Sequence, residues 1–462
     1  MHVMKQSLPE FQDTDKYPPV TKKEVENRYE KIIQRIKEMN LTHIIIYGDR
    51  EHCANLKYLT GGYDSRFEES LLIIRERAKP LLVTGNEGYS YSDICLLEHE
   101  KELYQTFSLQ GQTRDKKRYL RDILKEHDFN SKAKIGIIGF KYYEEGEFKD
   151  PERTFDIPHF ILEEIAGLTP RNQIFNVTHI MSHPENGLRS MLDHHEIARF
   201  EVMNNYLSNQ MRKVIRNLKI GISEAETLKG FVYKGIPFSV HPVVNFGKER
   251  VLLGLASPTF DTRLKLGDIV SIAFGVDGAN IARTGFAVFS NDDFSGKKSD
   301  IVETFYFPYF EAIKTWYETI GIGTQSKSVY ERVMGIIGHK RFGVTLNPGH
   351  QIHYEEWINS PFRSDISYVL KSGMVFQCDI IAFPGEPYIG VHVEDTVVLA
   401  DANLRDQLKK EYPEVWERIN VRQNMLRKIL GMNVREDVLP LSNLQAVLYP
   451  FLLDSDYIIT DV

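Results

Sequence analysis

The spacing of hydrophobic and polar positions predicts that helices alternate with strands in the first part of the chain. Apolar residues recur at a helical period over Lys22–Met39, and an apolar strand is predicted at Thr42–Gly48. Further strands are predicted at Ser70–Arg75, Pro80–Thr84 and Ile135–Phe140, and further helices at Asp115–His127 and Phe160–Ala166. This alternation is typical of an α/β unit. A polar connection with proline and glycine at 182–187 predicts a boundary, giving domains 1–185 and 186–462.

The second part of the chain combines a long helix with a β-hairpin and two apolar strands. The amphipathic helix is predicted at His195–Leu218. The hairpin is predicted within Gly267–Gly285, where Asp277-Gly278 separates two apolar runs. Later elements are a proline-interrupted edge strand at 237–244, helices at 302–320 and 327–337, strands at Met374–Ile381 and Val391–Leu399, and a tail helix at Glu414–Leu430. The apolar run at 438–453 is expected to pack at a domain or dimer surface. The predicted fold class is α/β (α+β).

Composition and charge exclude several classes of function. The chain has 462 residues, of which 42% are hydrophobic and 26% charged, so it is long enough for two or three globular domains. A net charge of −7 argues against nucleic acid as a partner. No apolar run is long enough to cross a membrane, and the first residues lack the apolar core of a signal peptide. Three widely spaced cysteines provide neither a disulfide framework nor a zinc knuckle, so a cytoplasmic protein is expected.

Charged residues within apolar strands are the first candidates for chemistry. Asp379 lies in a largely apolar strand, and alternation places His392 and Glu394 on one face of the next strand. A carboxylate in such a position is costly unless it is paired or used. Buried ion pairing is the structural alternative for Asp379 and Glu394.

Two loops carry further candidates. The segment 347–357 contains His350, His353, Glu355 and an adjacent glutamate. A His-x-x-His pair alone is weak evidence for a metal, and hydrogen-bonded loop histidines are the alternative. The loop 58–69 is rich in aromatic and charged residues, and its Arg66 either forms a surface ion pair or reaches a substrate in a neighbouring subunit.

The order of these features resembles the creatinase, prolidase and methionine-aminopeptidase family. The matching motifs are Leu266–Ile272 before the hairpin turn, Asn280–Thr284 after it, Gly349-His350, Ser372–Val375 and Val393–Thr396, with 55–61 similar to the amino-terminal domain of longer members. The resemblance covers 22–400. It implies a creatinase-like amino-terminal domain, a pita-bread catalytic domain, and a homodimer with sites near the subunit interface.

Metallopeptidases of this family hold two divalent ions with two aspartates, one histidine and two glutamates. Carried over residue by residue, the resemblance puts Ala273 and Asn280 at the aspartates, His350 at the histidine, and Asp379 and Glu394 at the glutamates. Ala273 offers no ligand atom and Asn280 offers a neutral one, so a two-metal centre is not expected. The metal-free interpretation is favoured, and one divalent ion on His350, Asp379 and Glu394 is the alternative.

Two other histidines of the family pattern are displaced. The second family histidine would fall near Trp357 and 360–361, whereas the chain has His353. The histidine that precedes the family hairpin is missing near 255–258, where His241 is the nearest candidate.

The main hypothesis is therefore a metal-independent, creatinase-like hydrolase of a C–N bond in a small cationic or amino-acid-derived substrate. Asp379 and Glu394 would bind a cationic group or position water, and His350 or His353 would be the general acid/base. Arg283 would bind a substrate carboxylate. Further substrate contacts are expected from Asn280, Glu355, His241 and Arg66. The alternatives are a mononuclear metal-dependent Xaa-Pro-type peptidase or lyase, and a non-catalytic binding protein with the same fold.

Overall fold

The structure, a computed structural model, describes residues 1–14, 16–294 and 296–462, without the side chain of Lys297. It divides into two units, Pro19–Arg189 and a second that joins Met1–Pro18 to Ser190–Val462. The division expected from the sequence, 1–185 and 186–462, differs from this grouping at the amino terminus. His2–Lys5 pairs there with Tyr457–Thr460, which ties the first residues to the end of the chain.

The elements follow in chain order. The strands are β1 (His2–Lys5), β2 (His43–Gly48), β3 (Ser70–Arg75), β4 (Leu81–Thr84), β5 (Glu100–Leu103), β6 (Ile135–Ile138), β7 (Ile174–Asn176), β8 (Phe238–Phe246), β9 (Ile269–Val276), β10 (Ala279–Phe286), β11 (His350–Gln351), β12 (Val375–Gly385), β13 (Ile389–Leu399), β14 (Val438–Pro440) and β15 (Tyr457–Thr460). The helices are α1 (Lys22–Glu38), α2 (Ala54–Thr60), α3 (Asn86–Tyr91), α4 (Leu120–Glu126), α5 (His159–Ala166), α6 (His179–Ser182), α7 (His194–Arg216), α8 (Glu224–Thr227), α9 (Lys248–Val251), α10 (Phe307–Thr319), α11 (Ser326–Ile337), α12 (Ala402–Glu411) and α13 (Pro413–Lys428).

The unit Pro19–Arg189 is built on a mixed sheet with the strand order β5-β4-β3-β2-β6-β7. Its central strand β2 is fully buried, antiparallel to β3 and parallel to β6. Helix α1 begins at a capping box, in which Thr21 and Glu24 satisfy each other's backbone N–H groups. The helical apolar positions Val25, Ile32 and Ile36 are buried, as their spacing predicts.

The other unit contains an antiparallel sheet with the order β11-β12-β13-β10-β9-β8, and β14 pairs with β13. The predicted hairpin is confirmed as β9 and β10, joined by Asp277 and Gly278. Gly278 has φ of +72°, which glycine adopts readily. The predicted edge strand is also confirmed, because β8 ends the sheet and its pairing is irregular between Val240 and Val243. The fold class predicted from the sequence, α/β with two such units, is confirmed.

Helix α7 and the carboxy-terminal tail both contribute buried residues to the hydrophobic core of this unit. α7 begins at a capping box of Asp193 and Glu196. The buried Glu201 binds Arg418 and Arg422 of α13. The apolar run expected at a surface is instead buried in the unit's own core, because β14 pairs with β13. Among the described residues, no helix is both long enough and apolar enough to cross a membrane.

Candidate active site

Four strands place one row of side chains on the same face of the antiparallel sheet. Ala273 of β9 is opposite Ala282 of β10, Ala282 is opposite Glu394 of β13, and Glu394 is opposite Asp379 of β12. Directly opposed residues of antiparallel strands point to the same face. Asp379 and Glu394 are therefore neighbours by register, and the two alanines continue the row toward β8.

His350 joins this row from the short strand β11, where it is opposite Gln377. The preceding Gly349 has φ of +122°, and a Cβ on it would lie 2.5 Å from the carbonyl oxygen of Gln377. Only glycine permits both the conformation and the close approach. The Gly-His sequence thus seats the imidazole at a fixed place beside β12.

The Nε2 atom of His350 faces three carboxylates without forming a hydrogen bond. It lies 3.3 Å from Glu356 Oε1, 3.5 Å from Glu394 Oε1 and 3.8 Å from Asp379 Oδ2. Within the described residues this buried nitrogen has no hydrogen-bond partner. The ring itself is held by Trp357, which stacks on it with centroids 4.2 Å apart.

The two buried carboxylates each have one fixed oxygen. His392 Nε2 lies 2.6 Å from Asp379 Oδ1, and the Asn280 amide donates to Glu394 Oε1 at 2.8 Å. His392 Nε2 is also 3.9 Å from Glu394 Oε2. These contacts orient both carboxylates and leave Asp379 Oδ2 directed toward His350.

The electrostatics of the cluster follow from three carboxylates lying close together, of which Asp379 and Glu394 are almost fully buried. Burial raises the pKa of Glu356 to about 7, with the charges of Glu394 and Asp379 adding to it and His350 opposing it. Burial and the charge of Asp379 raise the pKa of Glu394. Burial also acts on Asp379, but the charge and hydrogen bond of His392 outweigh it and lower the pKa of Asp379. The cluster has an excess of acidic groups that only protons or a bound cation can balance.

Of the predicted site residues, His350, Asp379, Glu394 and Asn280 are brought together, and two further residues belong with them. His392 was recognised from its alternation with Glu394 but was not included among the site residues. Glu356, the neighbour of the predicted Glu355, faces His350 with its Oε1 atom 3.3 Å from Nε2. Glu355 contributes its backbone carbonyl oxygen to the N–H of His353 at 3.1 Å. Strand alternation with Glu394 is the sequence signal for His392, whereas the loop conformation that selects Glu356 has no such signal.

His353 faces helix α7. Its Nε2 atom lies 3.6 Å from Glu196 Oε1, and its ring packs edge-on against Phe200 with centroids 5.2 Å apart. Its carbonyl oxygen accepts a hydrogen bond of 2.7 Å from the turn residue Gly278. His353 therefore connects the hairpin turn to α7, and its role as a general acid/base stays a prediction.

Arg283 lies behind the carboxylates and is almost fully buried. Its terminal nitrogens donate to Asp395 Oδ2 at 2.7 Å and to the carbonyl oxygens of Ala282, Glu394 and Leu444. These contacts describe a structural ion pair that joins β10, β13 and the tail. They provide no support for the predicted contact with a substrate carboxylate.

The other two predicted substrate contacts have simple local partners. His241 is exposed on the edge strand β8, where its Nε2 shares a hydrogen bond of 3.0 Å with the carbonyl oxygen of Leu255. Arg66 belongs to the unit Pro19–Arg189 and pairs with Asp64 at 2.8 Å. That ion pair agrees with the structural interpretation of the loop, and the proposed reach of Arg66 to a partner subunit stays a prediction.

The residues at the centre of the site fit one divalent cation. Ligand atoms of His350, Asp379 and Glu394 all lie within 4.8 Å of one another. Two ligand atoms that each lie about 2.1 Å from one ion are at most about 4.2 Å apart. The Nε2 atom of His350 lies 3.5 Å from Glu394 Oε1 and 3.8 Å from Asp379 Oδ2, and both distances are within that limit. The unpartnered imidazole nitrogen has the unused lone pair that such an ion requires.

A second ion lacks most of its ligands. Ala273 offers no donor atom, and it is half-buried in a strand whose other residues are buried. The amide of Asn280 already donates to Glu394. The two positions that would complete a second ion, Ala273 and Asn280, therefore contribute no negative charge.

Comparisons with known proteins agree with this architecture. Residues 201–401 match the model described as metallopeptidase family M24. The chain is similar in structure to a prolidase from Pyrococcus horikoshii OT3 (TM-score 0.60, 17% identity, covering 81% of this chain and 95% of the other). It is also similar to an Xaa-Pro dipeptidase from Bacillus anthracis (0.60, 15%, 82% and 96%) and to an X-Pro aminopeptidase from Thermotoga maritima MSB8 (0.60, 17%, 81% and 95%). A comparison with curated protein sequences gave no significant match.

Proposed function

Residues 201–401 of this chain belong to metallopeptidase family M24, and from that membership we propose a hydrolase of C–N bonds that works with one divalent cation on His350, Asp379 and Glu394. The observation that carries the proposal is the buried Nε2 atom of His350, which faces three carboxylates and hydrogen-bonds to none of them. An imidazole that served only to pair with a carboxylate would be aligned with it. This proposal adopts the mononuclear alternative over the metal-free interpretation favoured by the sequence.

The proposed substrate is a small peptide or related amide. The solved proteins with similar structures are named as a prolidase, an Xaa-Pro dipeptidase and an X-Pro aminopeptidase, which favours an Xaa-Pro-type bond. A homodimer in which Arg66 approaches the partner's substrate belongs to the same proposal. Sedimentation of the purified chain, followed by the KM of an Arg66→Ala variant, tests that part.

Each residue of the cluster has a specific task in this mechanism. The cation, when bound, supplies Lewis-acid polarisation of the scissile carbonyl and lowers the pKa of a bound water. His392 holds Asp379 through Oδ1, and Asn280 holds Glu394 through Oε1, so both carboxylates keep their orientation. Glu356 has a side chain that is 30% exposed and lies 3.3 Å from His350 Nε2, so it can accept a proton from water and return it to the leaving amine.

A metal-free hydrolase is the second candidate, and the contacts of the two buried carboxylates favour it. Asp379 pairs with His392 at 2.6 Å, and Glu394 accepts from Asn280 at 2.8 Å. These pairs partly satisfy both acids without any ion. In that case Asp379 and Glu394 would receive a cationic group of the substrate, as the sequence suggested.

Metal content and turnover, measured together, separate these functions. The chain is purified without chelators, its metal content is determined, and turnover is measured on Xaa-Pro and other dipeptides, guanidino acids, betaines and lactams. We expect turnover that EDTA removes and Mn²⁺ restores. His350→Ala should lower it at least about 100-fold, since loss of a ligand exceeds the 10–100-fold cost of a second-shell change. His339→Ala, an exposed histidine of the same unit, is the control and should keep full activity.

The other outcomes each identify a different function. Turnover that survives EDTA but is lost in His350→Ala contradicts the metal-dependent proposal and supports the metal-free hydrolase. Thermal stabilisation by a compound that is never turned over indicates the binding protein instead.

A further inference from the structure

We propose a second metal site, for zinc, formed by His194, His195 and Glu411. The two histidines begin helix α7 and Glu411 ends helix α12. All three residues lie outside the segment 201–401 that matches the M24 family. The site is therefore independent of the proposed catalytic function and of the family ligands.

Three potential ligand atoms converge at this place. His194 Nε2 lies 3.2 Å from Glu411 Oε2, and His195 Nδ1 lies 3.9 Å from the same oxygen. The three ligand atoms are all within 4.8 Å of one another, and the two rings pack with centroids 4.0 Å apart. Two imidazoles and one carboxylate are a ligand set that zinc uses, with donor atoms about 2.0–2.2 Å from the ion.

The geometry at His194 indicates an ion rather than a hydrogen bond. Its Nε2 atom is buried and has no hydrogen-bond partner among the described residues, although Glu411 Oε2 is only 3.2 Å away. The distance is short enough for a hydrogen bond, so the angle at the ring nitrogen is what prevents one. Ligands of a tetrahedral ion have this relation, since each lone pair points at the ion and not at the next ligand.

The surrounding charge also favours a cation. Glu411 is the last residue of α12, and the carboxyl end of a helix attracts positive charge. Lys409 and Lys410 share that turn and would oppose a cation, so the attraction must come from the Glu411 carboxylate and the end of the helix. Bound zinc would join the start of α7 to the end of α12.

Tyr412 supplies a way to tell ligation from packing. Its hydroxyl shares a hydrogen bond of 2.7 Å with His195 Nδ1, the atom that zinc would use. The hydroxyl therefore competes with the ion for one lone pair. Removing it in Tyr412→Phe should leave zinc affinity unchanged or raise it, whereas removing His195 should lower it.

Zinc binding is measured by equilibrium dialysis at pH 7.5 on the full chain carrying His350→Ala, which removes the first site. We expect one zinc per chain in this background. Adding His194→Ala or Glu411→Gln should weaken binding at least about tenfold, because even changes beyond the ligands cost 10–100-fold. His159→Ala is the matched control, since the exposed His159 lies 3.9 Å from Glu163 of the same helix, and it should keep full affinity.

Loss of the site must not be confused with loss of the fold. Circular dichroism of each metal-free variant checks folding, and Glu411→Gln changes a half-exposed side chain. The proposal is overturned if the folded Glu411→Gln and His194→Ala variants bind zinc as tightly as their parent. It is equally overturned if the His350→Ala chain binds no zinc, or if Tyr412→Phe abolishes binding.

Discussion

Asn280→Asp tests the arrangement of the site most directly. The Asn280 amide donates to Glu394 Oε1 at 2.8 Å, and both side chains are almost fully buried. The substitution keeps the shape of the side chain and replaces an attractive N–H···O contact with two facing oxygens. It also restores the acidic group that the family resemblance expects at this position.

The size of the effect follows from the distance. Two unit charges 2.8 Å apart repel by about 6 kcal/mol at an effective dielectric constant of about 20. Typical domains are stable by about 5–15 kcal/mol, so the metal-free variant cannot keep both carboxylates charged. The Asn280→Asp chain must therefore bind a proton or a cation between the introduced carboxylate and Glu394.

The sign of the pH dependence follows from the raised pKa of the buried acid. A carboxylate whose pKa is higher in the folded state than in the unfolded state stabilises the fold at low pH, and that stability is lost as the pH rises through the folded value. Glu394 already has a raised pKa in the wild-type protein, and a second carboxylate beside it strengthens the effect. We therefore expect the stability gap between Asn280→Asp and wild type to widen between about pH 5 and pH 8 in EDTA.

Urea unfolding at pH 5, 6, 7 and 8, with EDTA or with Mn²⁺, measures this gap. Mn²⁺ should close it, because a cation between the two carboxylates replaces repulsion with attraction. Asn204→Asp is the control: the Asn204 amide donates to the carbonyl oxygens of Phe200 and Gly278, so that variant should lose stability without being rescued by Mn²⁺. A gap in Asn280→Asp that is independent of pH and unchanged by Mn²⁺ would refute the reasoning.

Three further predictions concern single residues of the same region. Arg283→Met should cost about 3–5 kcal/mol in urea unfolding, because it leaves the buried Asp395 without its partner; a cost below about 1 kcal/mol would contradict the pairing. Glu356→Gln should lower turnover about 10²–10⁴-fold, the contribution of a positioned general acid/base, whereas Glu355→Gln should lower it far less. His392→Gln should weaken Mn²⁺ binding about 10–100-fold by releasing Asp379, and unchanged affinity in a dialysis measurement would exclude the orienting role.

The candidate site is easiest to predict where its residues lie on regular strands. Asp379 and Glu394 were found because a charged residue in an apolar strand is conspicuous, and alternation fixes the face to which it points. Their opposition across β12 and β13 could not be derived from alternation alone, since the register depends on how the two strands pair. The contact between His392 and Asp379 also depends on this register, so it does not follow from the alternation of His392 with Glu394.

Loop residues were harder to predict, because no periodicity constrains where they point. Glu355 and Glu356 are equivalent in the sequence, and the path of the loop between β11 and β12 brings Glu356 to within 3.3 Å of His350 Nε2. Nothing in the sequence indicates the partners of Arg283, because its guanidinium meets Asp395 and the carbonyl oxygen of Leu444 in the tail. The tail itself is apolar in sequence, and only its pairing with β13 shows that it belongs to the core.

The sequence by itself determined several main elements, among them α1, β2 and α7, together with the hairpin around Asp277-Gly278 and the absence of a carboxylate at Ala273. These follow from local spacing and from the identity of single residues, which no folding step changes. The tertiary structure decided which polar groups share the site, because contacts among β9, β10, β11, β12 and β13 join residues far apart in the chain. His350 faces three acids only after those strands have paired, and that arrangement gives the site its capacity for a cation.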